Sequence, residues 1–117
     1  MSTASVADTS SISPAQVFSA LGDRTRLALL TKLGDGQARS IAALSLDTDL
    51  TRQAITKHLH VLQDAGLVAS LRVGRESRFA ARREALEAAR AYLDRVSGQW
   101  DVVLDRLKTF VETDPVD

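Results

Sequence analysis

Ser40 and Thr51 each stand just ahead of an apolar helical pattern, the first short, the second running to Ala65 and stopped by Gly66. Hydroxyl side chains at such positions accept the unpaired amide protons of a first helical turn. A short helix (residues 41–47, with Ile41 and Leu44 inward) joined by a tight turn to a longer one is a helix-turn-helix. Past Gly66 the period changes. Residues 68–73 and 77–81 are β-compatible runs around Val73-Gly74-Arg75-Glu76, which reads as a hairpin. From Glu84 the helical period returns, so the hairpin is enclosed by helices on both sides.

Two more helices precede this unit. Ser13-Pro14 supplies a capping hydroxyl and a proline at the first helical position, with Val17, Phe18 and Leu21 inward and a stop at Gly22. Asp23 caps a second helix through Leu33, with Leu27, Leu30 and Leu33 on one face, and Gly34 and Gly36 end it. The last helix carries Leu86, Ala89, Leu93, Val96, Trp100, Val103, Leu107 and Phe110 at steps of three and four. Such a heptad seam suits packing against another helix, and a homodimer is the expected partner. Trp100 has two other readings, as core of its own protomer or as lining of an inducer pocket. Ser97-Gly98 is the weak point of this helix.

At 117 residues the chain has room for one domain, expected over residues 14–112, between a disordered lead at 1–13 and a disordered tail at 113–117. Residues 1–13 have neither a basic start nor an apolar block and do not read as a signal peptide. No apolar run is long enough to span a bilayer, so no membrane partner is expected. Cysteine is absent. Disulfides and thiolate metal sites are thereby removed, which fits a reducing cytoplasm.

The formal net charge of zero conceals an uneven distribution. Residues 51–83 hold seven basic side chains (Arg52, Lys57, Arg72, Arg75, Arg78, Arg82 and Arg83) against Asp64 and Glu76, whereas both flanking segments are net acidic. A basic middle between acidic ends points to one surface facing an anion.

The helix opened by Thr51 has two faces. Leu59 and Leu62 fall within about 40° of Ile55, and Gln53, Thr56, Lys57 and His60 lie between about 100° and 200° from it. Amide, hydroxyl and ammonium groups in the first half of such a helix are what base edges pair with: Gln with adenine, Lys with guanine, Thr through hydroxyl and methyl. His58 lies on the inward flank, as a partly buried, hydrogen-bonded histidine. His58 and His60, two apart, do not face each other and make a poor chelate. Arg72, Arg75 and Arg78 gather around the hairpin, where arginine grips phosphate or enters a minor groove. Charged side chains also protect strand edges, so solubility is the competing reading.

The stretch LTRQAITKHLHVLQDAGLV at 50–68 resembles the recognition-helix signature of the ArsR family of winged helix-turn-helix regulators. ALGDRTRLALLTKL at 20–33 is similar to that family's second helix, and GRESRF at 74–79 to its wing, so the resemblance runs in order over residues 14–112. It implies a mainly α fold with a small β-hairpin, ordered α1-α2-α3-α4-β-β-α5 and dimerising through its terminal helices. It further implies a sequence-specific regulator of double-stranded DNA, most often a repressor on a palindromic operator. By the same resemblance Gln53, Thr56, Lys57 and His60 face bases, Ser40, Thr51 and Arg52 contact phosphate, and Arg75 is the wing-tip contact. Phe18, Leu93, Trp100, Val103, Leu107 and Phe110 become the dimer positions.

The family's metal-sensing sites find no counterpart here. There is no cysteine, neither histidine lies past residue 60, and Asp101 and Asp105 have no nitrogen donor beside them. No metal and no cofactor are expected, and the inducer stays open. Nor does the sequence hold a nucleophile–base pair or a phosphate loop, so an enzyme is not expected. The alternative to a DNA-binding regulator is a winged-helix module for protein–protein contact.

Overall fold

The computed structural model describes residues 12–113. The expected lead and tail therefore fall outside the described residues, except at Ile12, Ser13 and Thr113. Among the described residues five α-helices, one 3-10 turn and three strands run in the order α1 (Pro14–Leu21), α2 (Arg24–Lys32), the 3-10 turn (Leu33–Asp35), β1 (Arg39–Ser40), α3 (Ile41–Leu44), α4 (Arg52–Asp64), β2 (Val68–Val73), β3 (Glu76–Ala81) and α5 (Arg83–Thr113).

The helix starts are those written in the sequence. The side chains of Ser13, Asp23, Ser40 and Thr51 accept from the backbone N–H of Gln16, Arg26, Ala43 and Ala54 respectively. The carboxyl of Asp23 is held below its ordinary value, chiefly by that amide of Arg26. At the other end of α4, Gly66 takes φ +82°, a backbone conformation that a Cβ would strain. Its amide reaches Gln63 O at 2.9 Å, and Leu67 N reaches Leu62 O at 2.9 Å. This is the paired-bond ending of a helix, closed by contact between two fully buried leucines, Leu62 and Leu67.

Ile55, Leu59 and Leu62 of α4 are fully buried among Val17 and Ala20 of α1, Leu29 of α2, Leu44 of α3, and Leu33, Leu67, Val68 and Phe79. The core thus sits behind α4 and leaves its other face free.

Three features depart from the sequence reading. The third helix is a single turn, ending at Leu44 rather than near residue 47, with Ser45 N bonded back to Ile41 O and Ala42 O. Along α2 and the first residue after it the inward stripe is Arg26, Leu29, Leu30 and Leu33; Leu27, placed on that face from sequence, is 47% exposed. A stripe stepping 26-29-30-33 turns position 27 outward, and its first place is taken by an arginine. The hairpin, finally, belongs to a three-stranded antiparallel sheet in the order β1-β3-β2, with Arg39 opposite Phe79 and Ser40 opposite Arg78.

The two-residue strand β1 joins the sheet to the helices. Ser40 pairs with β3 and caps α3 at once. Arg39 grips Asp35 in a two-pronged contact (2.8 and 2.6 Å) and donates to Lys32 O at 2.8 Å, tying the end of α2 to the sheet. That guanidinium holds the Asp35 carboxyl well below the usual carboxylate range and is itself raised in return.

α5 is helical without a break through Ser97-Gly98. Ala85 and Ala89 are buried, and Tyr92 meets Phe18 of α1 with ring centroids 5.9 Å apart. Beyond that point the helix leaves the core: every residue from 97 to 113 is exposed. Trp100 is 59% exposed, which excludes it from the core of its own protomer. Leu104 and Val111, also exposed, flank the heptad seam and widen it into a face suited to more than one neighbouring helix.

Candidate nucleic-acid interface

The first half of α4 presents Arg52, Gln53 and Lys57 to solvent, with His60 one turn beyond Lys57 on the same side. No acidic residue stands in its first turn, so the positive end of the helix dipole is not offset there. Thr56 differs from these neighbours. It is half-buried and its hydroxyl donates to Arg52 O at 2.8 Å, leaving a methyl group and an acceptor lone pair for any partner. Thr51 is exposed and Ser40 half-buried, and each uses its oxygen as a helix cap. Each hydroxyl proton is left over for donation.

His58 lies where the helical wheel puts it, on the flank between core and solvent, with 24% of its side chain exposed. Its Nδ1 is 3.4 Å from Arg26 Nη1 and 3.8 Å from Asp23 Oδ2. The side chain of Gln16 also reaches α4, donating to Asp64 O at 3.1 Å. Reading the sequence by helix faces alone missed Gln16 and Arg26. The one signal for Arg26 was its place at the head of the inward stripe of α2.

The hairpin turns tightly through Gly74 and Arg75, between the paired residues Val73 and Glu76. Gly74 has φ +63°, which a two-residue hairpin turn requires at its first position. Arg75 stands exposed at the tip. The register then separates the other two arginines. Arg72 pairs with Ser77 and Leu71 with Arg78, so Arg72 lies on the face of the sheet that carries Phe79, and Arg78 on the opposite face. Arg78 is also held by Glu76 at 2.8 Å. The register therefore puts Arg72 and Arg78 on opposite faces of the hairpin, with Arg75 at its tip.

Of the seven cations in the basic middle, Arg78, Arg82 and Arg83 pair with Glu76, Glu84 and Glu87. Arg52, Lys57, Arg72 and Arg75 form no ion pair with any described residue. All four are exposed, two on α4 and two on the hairpin. Among the described residues no group of three His, Asp or Glu side chains is placed to hold a metal ion. No helix among them is long and apolar enough to cross a membrane.

This arrangement, a buried-backed helix with a polar outer face beside an arginine-tipped hairpin, defines a winged helix-turn-helix. A helix-turn-helix domain family matches residues 21–70. YuzN, an HTH-type transcriptional regulator of Bacillus subtilis, is 45% identical over 65 residues, covering 50% of this chain and 71% of its own. An ArsR-like transcriptional regulator from Rhodococcus sp. RHA1 is similar in structure at a TM-score of 0.77, with 41% identity, 86% of this chain and 93% of that one covered. The homodimeric winged helix-turn-helix DNA-binding domain Mb0332 of Mycobacterium bovis matches at a TM-score of 0.55, with 25% identity and 88% of each chain covered. The chain belongs to the ArsR-type winged helix-turn-helix transcriptional regulators.

Proposed function

We propose that the protein is a homodimeric repressor that binds a palindromic operator in duplex DNA. The observation that carries this reading is the exposed polar half of α4, backed by fully buried Ile55, Leu59 and Leu62 and flanked by the unpaired cations Arg72 and Arg75. In this reading Gln53, Lys57 and His60 meet base edges in the major groove, and Thr56 offers its methyl to a thymine. Thr51, Arg52 and Ser40 donate to phosphates at helix starts, and Arg72, Arg75 and, from the other face of the sheet, Arg78 hold the backbone beside the site. The regulator acts in the cytoplasm and is not an enzyme. The test is selection of fragments from sheared genomic DNA by the full chain. A recurrent palindrome supports the reading, with half-sites one helical turn or a multiple of it apart. Retention of no duplex overturns it in favour of a protein-contact module.

The dimer is built on α1 and α5, from Phe18, Leu93, Trp100, Val103, Leu107 and Phe110. Its support is the apolar face of α5 left uncovered within one protomer, and the homodimeric state of the Mycobacterium bovis relative. Equilibrium sedimentation is expected to give a dimer at micromolar concentration, weakened by Trp100→Ala. A wild-type monomer at that concentration contradicts this.

Metals play no part in the regulation proposed here. Zinc, cadmium, arsenite and nickel are expected to leave operator affinity unchanged, because the chain has no cysteine and its two histidines diverge. Stoichiometric metal binding by calorimetry, with a loss of DNA affinity of about tenfold or more, would show the opposite.

A further inference from the structure

α1 stands between the two working parts of the molecule. On one side Phe18 rests against Tyr92 of α5. On the other, two polar links tie α1 to α4. Arg26, at the start of α2, donates from Nε to Ala20 O at 2.7 Å and from Nη2 to Ser19 O at 3.3 Å, so its guanidinium is fixed on the last turn of α1. The remaining nitrogen, Nη1, reaches His58 Nδ1 on α4 at 3.4 Å. Arginine only donates, so in this contact Nδ1 stands as the acceptor, with the Asp23 carboxylate 3.8 Å from the same nitrogen. The second link is Gln16 Nε2 to Asp64 O, at 3.1 Å.

Apolar packing between helices is non-directional and leaves small rotations inexpensive. Directional bonds do not, and here they act at two points about 9 Å apart along α4. Two fixed points on a rod set both its tilt and its roll.

We infer that Gln16, Arg26 and His58 are positioning residues that fix the angle of α4 relative to the α1–α5 face. They thereby set the distance between the two recognition helices of the dimer. The inference rests on the reading of α4 as the DNA-reading helix of a dimer and adds to it what determines half-site spacing. None of the three residues needs to touch DNA for this role.

The experiment uses the full chain and the half-site recovered by genomic selection, synthesised as a single copy and as inverted pairs whose spacers grow by one base pair. Wild type is expected to prefer one spacer by about tenfold or more over its neighbours, in line with the energies typical of coupled sites. The double variant Gln16→Ala/His58→Ala is expected to bind the single half-site as wild type does, because the outer face of α4 is untouched. Its preference among spacers should fall to about threefold or less. His58→Gln, whose side-chain oxygen can still accept from Arg26, is expected to restore the wild-type profile. Should the double variant not fold, Gln16→Ala alone, at a solvent-exposed contact, is expected to show a partial flattening. Equal losses on single and paired sites would overturn the inference, as would an unchanged spacer profile in the variants. Wild type binding no duplex at all would remove the DNA-binding reading, and this inference with it.

Discussion

Leu59→Ala is expected to destabilise the protein by about 2–5 kcal/mol, the usual cost of emptying a fully buried leucine site. Leu59 has no exposed surface and lies at the middle of the α4 stripe, between Ile55 and Leu62, where the neighbouring core cannot easily collapse onto the void. A domain of this size has a net stability of about 5–15 kcal/mol, so the loss is a large fraction of the whole. Urea unfolding at fixed protein concentration measures it as a lower midpoint with an unchanged slope. His60→Ala, on the opposite face of the same helix, is the matched control and should stay within about 0.5 kcal/mol of wild type. Similar losses in both variants would mean that α4 is not anchored by the face described here.

The second large effect concerns recognition. Gln53→Ala is expected to cost roughly 1–3 kcal/mol per half-site on the specific operator and to relax preference at one base pair in each half. Gln53 and Lys57 lie one turn apart on the exposed side of α4, the side that meets base edges in the proposed docking. Arg75 stands at a hairpin tip, and its removal should read differently. Arg75→Ala is expected to weaken specific and nonspecific binding alike and to reduce the salt dependence by about one unit for each phosphate no longer neutralised. In a symmetric dimer each change counts twice. Titrations of both variants against operator and random DNA across a salt series separate the two roles. Unchanged affinity in both variants would rule out this docking of helix and wing.

The parts of the fold legible in the sequence were those governed by local chemistry. Ser13, Asp23, Ser40 and Thr51 cap helices because a side-chain oxygen finds an amide three residues on, a matter of near neighbours alone. The two faces of α4 and the half-buried place of His58 follow from helical rotation. What escaped depended on partners distant in the chain. A strand of two residues, Arg39–Ser40, has no period to read, and it exists only because β3 offers it an edge. The shortness of α3 and the outward turn of Leu27 were likewise decided by packing. In the candidate site, Gln53 and Lys57 were legible as outward-facing residues. The capture of the Thr56 hydroxyl by Arg52 O and of Arg78 by Glu76 depended on side-chain conformation. Charge counting over the chain identified a basic middle, but only the ion pairs reveal which four cations remain available.

In the proposed dimer the outer half of α5 ties the regulator's working form to its abundance. Residues 97–113 are exposed, covered by no other described residue, and so leave an apolar face for a partner. With that face paired as proposed, the two-headed form rises by mass action with the square of the protomer concentration until pairing is complete. A cell that dilutes this protein by growth, or stops making it, would lose paired reading heads faster than it loses protein. Copy number would then act as a control input alongside any small molecule, with a threshold set by how tightly those seventeen residues find their counterpart.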